Sequence, residues 1–155
     1  MRKECVTAYV ALGANLGDAA ASVRQAMDAI GSLADTKVTR RSSLYRTAPV
    51  DASGPDYINA VVEVSTALPA PLLLQQLQQL EQGAGRERSY RNAPRTLDLD
   101  LLLYGDAQLQ GPALTIPHPR MAARAFVLVP LAEIAPQRVS AAQLRRVSAQ
   151  AIQRL

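Results

Sequence analysis

Apolar residues recur along this chain at two spacings, and segments of each kind alternate. From Val6 to Leu12 the run is almost wholly apolar, as for a strand buried on both faces. Gly13, Ala14, Asn15, Leu16 and Gly17 then make a turn-rich loop. Asp18 is placed to cap a helix with Val23, Met27 and Ile30 on its inner stripe and its end at Gly31. Val38 to Thr47 interleaves polar and apolar positions and predicts one continuous strand. Tyr57 to Thr66 alternates more strictly, with Ile58, Ala60, Val62 and Val64 on one face and Tyr57, Asn59, Val61 and Glu63 on the other. Pro69 and Pro71 open a second helix, with Leu73, Leu77 and Leu80 inward and its end near Gly83.

The stretch from Pro94 to Tyr104 carries the densest information. Period two puts Leu97, Leu99, Leu101 and Leu103 on one face, and Asp98, Asp100 and Leu102 on the other. The two carboxylates then stand on Cα atoms roughly 6–7 Å apart, at a strand rise of about 3.3 Å per residue. Like charges at about 6 Å repel by roughly 0.7 kcal/mol in water and about 3 kcal/mol at an effective dielectric near 20. Aspartate is a poor strand former, so two of them here are not something a sheet requires. One reading is a half-exposed strand with a solvated polar face. The other is a pair of hard cations such as Mg²⁺, held by the carboxylates and shared with substrate phosphates.

Taken together the elements run β-α-β-β-α-β, the split unit of ferredoxin-like α+β folds with an antiparallel sheet. Beyond it, Tyr104, Gly105 and Asp106 turn the chain and Thr115 and Ile116 make a short strand, a small extra hairpin. Pro117, His118 and Pro119 form a stiff loop. Two C-terminal helices complete the chain, one from Phe126 to Ile134 and one opened by a Ser140–Gln143 capping box with Leu144, Val147 and Ala151 on one side. The 155 residues show no repeat and no linker, which predicts a single domain over 1–155.

Composition narrows the partners. No run approaches the eighteen or so apolar residues of a membrane span, and the single cysteine, Cys5, allows no internal disulfide, which fits a reducing cytoplasm. A monomer is the expected state, though no residue pattern carries it. Net charge is +4, and arginine supplies 15 of the 17 basic residues, a bias toward forked recognition of phosphate or carboxylate. An anionic partner follows, either a nucleotide or a nucleic acid.

Several side chains are candidates for chemistry. Arg86, Arg88, Arg91 and Arg95 place four guanidinium groups just before the aspartates, either as a solvated loop or as a clamp on phosphates that cations also bridge. His118 is the sole histidine, held stiffly between prolines, with Arg120 and Arg124 behind it. Tyr57 and Phe126 belong to a small set of five tyrosines and one phenylalanine, and serve either as core or as two walls around a planar substrate. The Gly13–Gly17 loop lacks the Gly-Lys-Ser/Thr ending of a phosphate-binding P-loop and reads as a tight connection.

These residues fall into motifs that resemble one family along nearly the whole chain. Leu12-Gly13-Ala14-Asn15-Leu16-Gly17, Ser43-Leu44-Tyr45-Arg46-Thr47 and Asp56-Tyr57-Ile58-Asn59-Ala60 come first. Pro94-Arg95-Thr96-Leu97-Asp98-Leu99-Asp100, Pro117-His118-Pro119-Arg120-Met121 and Arg124-Ala125-Phe126-Val127-Leu128 follow in order. The chain resembles the 6-hydroxymethyl-7,8-dihydropterin pyrophosphokinases of folate biosynthesis, and the Pro-Arg-Thr-Leu-Asp-Leu-Asp run is the most specific of the matches. The resemblance implies a ferredoxin-like fold and transfer of pyrophosphate from ATP to the pterin hydroxymethyl oxygen, giving AMP and the pterin diphosphate. It implies two Mg²⁺ on Asp98 and Asp100, with Arg86 and Arg95 clamping phosphates as catalytic groups. Glu81, Leu101, His118 and Arg124 join them around ATP. The pterin falls to Tyr57, Phe126 and Asn59, with Thr47, Pro49 and Val50 completing its pocket.

The chain departs from the family in two ways: Asn92 and Ala93 stand where relatives often carry an aromatic residue before the Pro-Arg pair, and the arginine loop aligns with some relatives only through a gap, so the match at Arg88 and Arg91 is weaker than at Arg86. Two other readings compete. An RNA-binding ferredoxin-like module would share the strand order and basic charge, but needs sheet aromatics in an RNP1-type motif that this chain lacks. A metal-dependent phosphoesterase would use the same two aspartates and release inorganic phosphate.

Overall fold

The computed structural model of the chain describes residues 4–48, 55–85 and 97–155. Pro49, Val50, Arg86, Arg88, Arg91, Asn92, Ala93 and Arg95 lie outside them.

The apolar run at the start forms the central strand β1 (Val6–Ala14), two residues longer than its pattern suggested, so Gly13 and Ala14 belong to the strand and not to the loop. Gly17 then turns the chain at a φ of +58°, a conformation that costs a side chain dearly. Asp18 accepts the Ala21 amide and caps α1 (Ala19–Gly31), whose Val23, Ala26, Met27 and Ile30 form one buried stripe. The predicted second strand is instead two, β2 (Thr36–Arg41) and β3 (Tyr45–Thr47). The break has a cause at Ser42. Its amide donates to the Val61 carbonyl while its hydroxyl takes the Val61 amide, so a side chain stands in where a continuous ladder would use backbone.

β4 (Tyr57–Thr66) has the predicted bounds and the predicted two faces. α2 (Ala70–Gly85) runs two residues past the expected end, with Leu73 and Leu77 fully buried. β5 (Asp98–Tyr104) follows at the sheet edge. The sheet order is β5-β1-β4-β3, with β2 also paired to β4, and every pairing is antiparallel. This is the ferredoxin-like arrangement, with its second strand split in two.

One expectation about β5 is wrong. Leu97, Leu99 and Leu101 pack under α1 and α2, but Leu103 packs with Leu102 on the opposite face. Tyr9 pairs with Leu103 and Val10 with Leu101, so β5 carries one extra residue there. A bulge of this kind flips every side chain beyond it.

A small hairpin follows, β6 (Leu109–Gln110) with β7 (Thr115–Ile116). α3 (Ala125–Ile134) lies on the second face of the sheet and covers Tyr9, Ala11, Val61, Leu102 and Leu103. That face is therefore a second core and not a solvated surface, except where α3 ends. The Ser140–Gln143 capping box is present and opens α4 (Ala141–Arg146), which stops before Ala151; Ala151 is exposed and lies on no helix. The chain then returns as β8 (Gln153–Arg154), which the sequence pattern gave no sign of, to pair with β3. Among the described residues no helix is long and apolar enough to cross a membrane.

Candidate active site

The open end of the α3-covered face is organised by strand register. Gly13 pairs with Asp98 on one side and with Asn59 on the other, and Asn59 pairs with Tyr45 beyond it. Directly opposed residues share a face, so Asp98, Gly13, Asn59 and Tyr45 form one row across four strands. At about 4.8 Å per strand, the Asp98 and Asn59 backbones stand roughly 10 Å apart. Gly13 lies between them without a side chain. A Cβ there would come within 3.1 Å of the Asn59 Oδ1, so the glycine makes room for that amide. The sequence pattern missed this role for Gly13, although a glycine at the end of a strand is a usual sign of close approach.

Asp98 and Asp100 are both half-buried and share the site face, with Asp100 opposite Ala11 in the next row. Glu81 on α2 accepts the Leu99 amide at 2.8 Å, which ties the residue between the aspartates to the helix. Leu101 is only 2% exposed, in the core under the helices, and its edge borders a cleft of about 220 Å³. Leu74 of α2, Asp100, His118, Pro119 and the Gly111–Thr115 stretch form the rest of that cleft's wall.

His118 enters the site by way of backbone bonding, its amide donating to the Leu102 carbonyl at 2.9 Å. Its Nδ1 accepts the Arg120 amide at 3.2 Å, so the neutral ring carries its proton on Nε2, which stands 4.0 Å from Asp100 Oδ1. Burial is the largest influence on this imidazole and holds it below its ordinary value. Asp100 pulls the other way, and Arg124 and Arg120 reinforce the depression. The ring is therefore a neutral donor at pH 7.

Phe126 sits in the first turn of α3, partly buried, and the Arg124 guanidinium lies over its ring at 5.3 Å. Gln150 braces this turn, its Oε1 accepting the Ala125 amide at 2.9 Å while its Nε2 donates to the Ala123 carbonyl at 2.9 Å. Tyr57, half-buried, lies one row out from Asn59 and opposite Thr47. Thr47 is buried, and its hydroxyl accepts from Asn59 Nδ2 at 2.8 Å, which fixes the amide's orientation. The sequence-predicted residues among those described thus come from β3, β4, β5, α2, the His118 loop and the start of α3, with Leu101 alone of them turned into the core under the helices.

A model of the family described as 7,8-dihydro-6-hydroxymethylpterin-pyrophosphokinase matches residues 9–136. The chain belongs to this family. It is 48% identical over 134 residues to a 2-amino-4-hydroxy-6-hydroxymethyldihydropteridine pyrophosphokinase of Synechocystis, spanning 86% of this chain and 69% of that one. The Haemophilus influenzae protein of the same name is 46% identical over 131 residues, covering 84% of this chain and 82% of its own. Among solved structures, an HPPK-DHPS in complex with substrates superposes with a TM-score of 0.69 at 13% identity, over 86% of this chain. This chain spans 40% of that structure's length, and the likeness speaks to the fold alone.

The two aspartates also permit a test of the donor set. Hard carboxylate oxygens suit Mg²⁺, and two of them with water and phosphate completing the shell is a usual way that ion is held. Among the described residues no group of three or more His, Cys, Asp or Glu side chains forms a closed cage.

Proposed function

We propose that the open end of this sheet transfers the pyrophosphoryl group of ATP to the hydroxymethyl oxygen of 6-hydroxymethyl-7,8-dihydropterin, releasing AMP and the pterin diphosphate for folate synthesis. In that step the alcohol oxygen bonds to the β-phosphorus as the bond from that phosphorus to the α–β bridging oxygen breaks. The single observation that carries the reading is the row in which Gly13 separates Asp98 from Asn59, since it sets a carboxylate anchor and a polar heterocycle anchor about two strand spacings apart.

Asp98 and Asp100 would hold a pair of Mg²⁺, which when bound would neutralise the phosphate chain and favour attack on it. The neutral His118 Nε2–H and the Arg124 guanidinium donate to phosphate oxygens, joined by Arg86 and Arg95. Leu101 offers an apolar border to the nucleotide beside the cleft, and Glu81 holds the aspartate strand. Tyr57 and Phe126 stack on the two faces of the pterin ring. Asn59, oriented by Thr47, bonds its polar edge, with Pro49 and Val50 beside it. The chain works as one domain over 1–155, a cytoplasmic monomer whose partners are these two small molecules.

The deciding experiment incubates the protein with ATP, Mg²⁺ and the hydroxymethyl dihydropterin and separates the nucleotides. AMP formed in equal amount to pterin diphosphate supports the reading. Inorganic phosphate with ADP, or no product without added nucleic acid, would defeat it.

A further inference from the structure

The Glu133 carboxylate, in the last turn of α3, gathers three separate pieces of chain. Its Oε1 accepts the Ser43 amide at 2.9 Å and the Tyr45 hydroxyl at 2.7 Å. Its Oε2 accepts the Ser43 hydroxyl at 2.9 Å and lies 3.5 Å from the Arg154 guanidinium on β8. Burial alone would raise the pKa of this carboxyl. The Tyr45 bond, both Ser43 bonds and Arg154 outweigh burial, so it stays below the ordinary carboxylate range and charged at neutral pH.

What this carboxylate joins matters more than its charge. β3 is three residues long and carries Thr47, whose hydroxyl orients Asn59. Phe126 lies seven residues before Glu133 on the same helix, two turns away and on the same stripe, at about 1.5 Å rise per residue. One wall of the pocket is therefore bonded to the other through a rigid helix and one side chain. β3 is paired laterally with β4 and β8, and the Tyr45–Glu133 bond links it directly to α3.

We infer that Glu133 is a positioning residue for pterin recognition: it sets the separation between the Thr47–Asn59 wall and the Phe126 wall. This inference rests on the proposed pterin pocket. Without the carboxylate, β3 drifts from α3, and the stacking ring and the amide no longer meet a planar ligand together. The nucleotide side, built on β5, α2 and the His118 loop, has no bond to Glu133 among those described above and stays as it is.

The test measures binding of 6-hydroxymethylpterin and of α,β-methylene ATP with Mg²⁺ by calorimetry, alongside thermal unfolding. Glu133→Gln is expected to weaken pterin binding about tenfold while the nucleotide binds within about twofold of the wild type. Tyr45→Phe, which keeps the ring and removes one donor, shifts pterin binding in the same direction by less, and serves if Glu133→Gln does not fold. Arg40→Ala is the structural control, because Arg40 Nη1 bonds the Ile134 carbonyl at 2.8 Å and ties the same end of α3 to β2 instead. That variant is expected to lose thermal stability and keep its pterin affinity. Equal pterin losses in Arg40→Ala and Glu133→Gln, or pterin binding unchanged in both Glu133→Gln and Tyr45→Phe, would overturn the inference. If Tyr57→Ala also leaves pterin binding unchanged, or the wild type binds no pterin, the pocket reading itself fails.

Discussion

Glu81 Oε2 accepts the Leu99 amide at 2.8 Å, so a helix carboxylate is bonded to the backbone midway between Asp98 and Asp100. Among the described residues β5 is an edge strand paired in the main sheet with β1, and an edge amide otherwise turns to water. The bond does for the aspartates what a second neighbouring strand would do: it limits twist and slip at the residue they flank. Glu81→Ala removes a charged acceptor from a partly buried amide, a loss of about 1–3 kcal/mol. The expected outcome is lower thermal stability together with a higher Mg²⁺ requirement for half-maximal turnover, and Glu81→Gln, which keeps an acceptor, restores most of both. A Glu81→Ala enzyme with wild-type Mg²⁺ dependence would show that the bond does not order the aspartates.

Asp98 and Asp100 separate function from folding. Both are half-buried on the face of the sheet that carries α3, Asp100 opposite Ala11 and Asp98 opposite Gly13 toward the open end. Replacing either with asparagine keeps shape and removes one of two like charges held close together. Turnover is expected to fall by about 10³-fold or more, in line with losing a group that stabilises charge in the transition state. Thermal stability in metal-free buffer should hold or rise slightly. Activity within tenfold or so of the wild type in either variant would contradict the cation role.

His118 reports on the same place without any activity assay. It is the chain's sole histidine, so the titrating imidazole signals belong to one ring. Burial holds its pKa below the ordinary 6.5, and Asp100 pulls toward the charged ring. In Asp100→Asn, measured by proton NMR without metal, the midpoint is expected to move further down, because the imidazolium loses its counter-charge. An upward move would mean that Asp100 does not face the ring in solution.

The sequence made some of this legible and hid the rest for identifiable reasons. Period-two alternation on Tyr57–Thr66 is a local property, and both faces of β4 appear as read, Asn59 beside Val61 included. Asp98 and Asp100 share a face for the same reason. Leu103 does not follow Leu101 because the extra residue opposite Tyr9 and Val10 is a product of pairing, which alternation along one strand cannot register. Ser42 likewise breaks a run that looks continuous, since its hydroxyl competes for the Val61 amide only once β4 is alongside. Glu133 reads as an ordinary exposed helix residue, and its role depends on Ser43 and Tyr45 arriving from ninety residues away.

Gly13 yields the sharpest prediction about shape. Its backbone is flanked by Asp98 and Asn59, and the Asn59 amide already has its Nδ2 committed to Thr47. In Gly13→Ala the new methyl would meet Asn59 Oδ1 at 3.1 Å, so the amide must yield by a few tenths of an ångström or break from Thr47. Either movement displaces the polar edge of the pocket while Asp98 and Asp100 stay in register. The expected result is a several-fold loss of pterin affinity with Mg²⁺-ATP binding retained, measured as separate titrations of 6-hydroxymethylpterin and α,β-methylene ATP. If the nucleotide weakens as much as the pterin, the methyl has disturbed the strand pairing as a whole, and Gly13 is then a packing glycine and not the gap that fits the Asn59 amide.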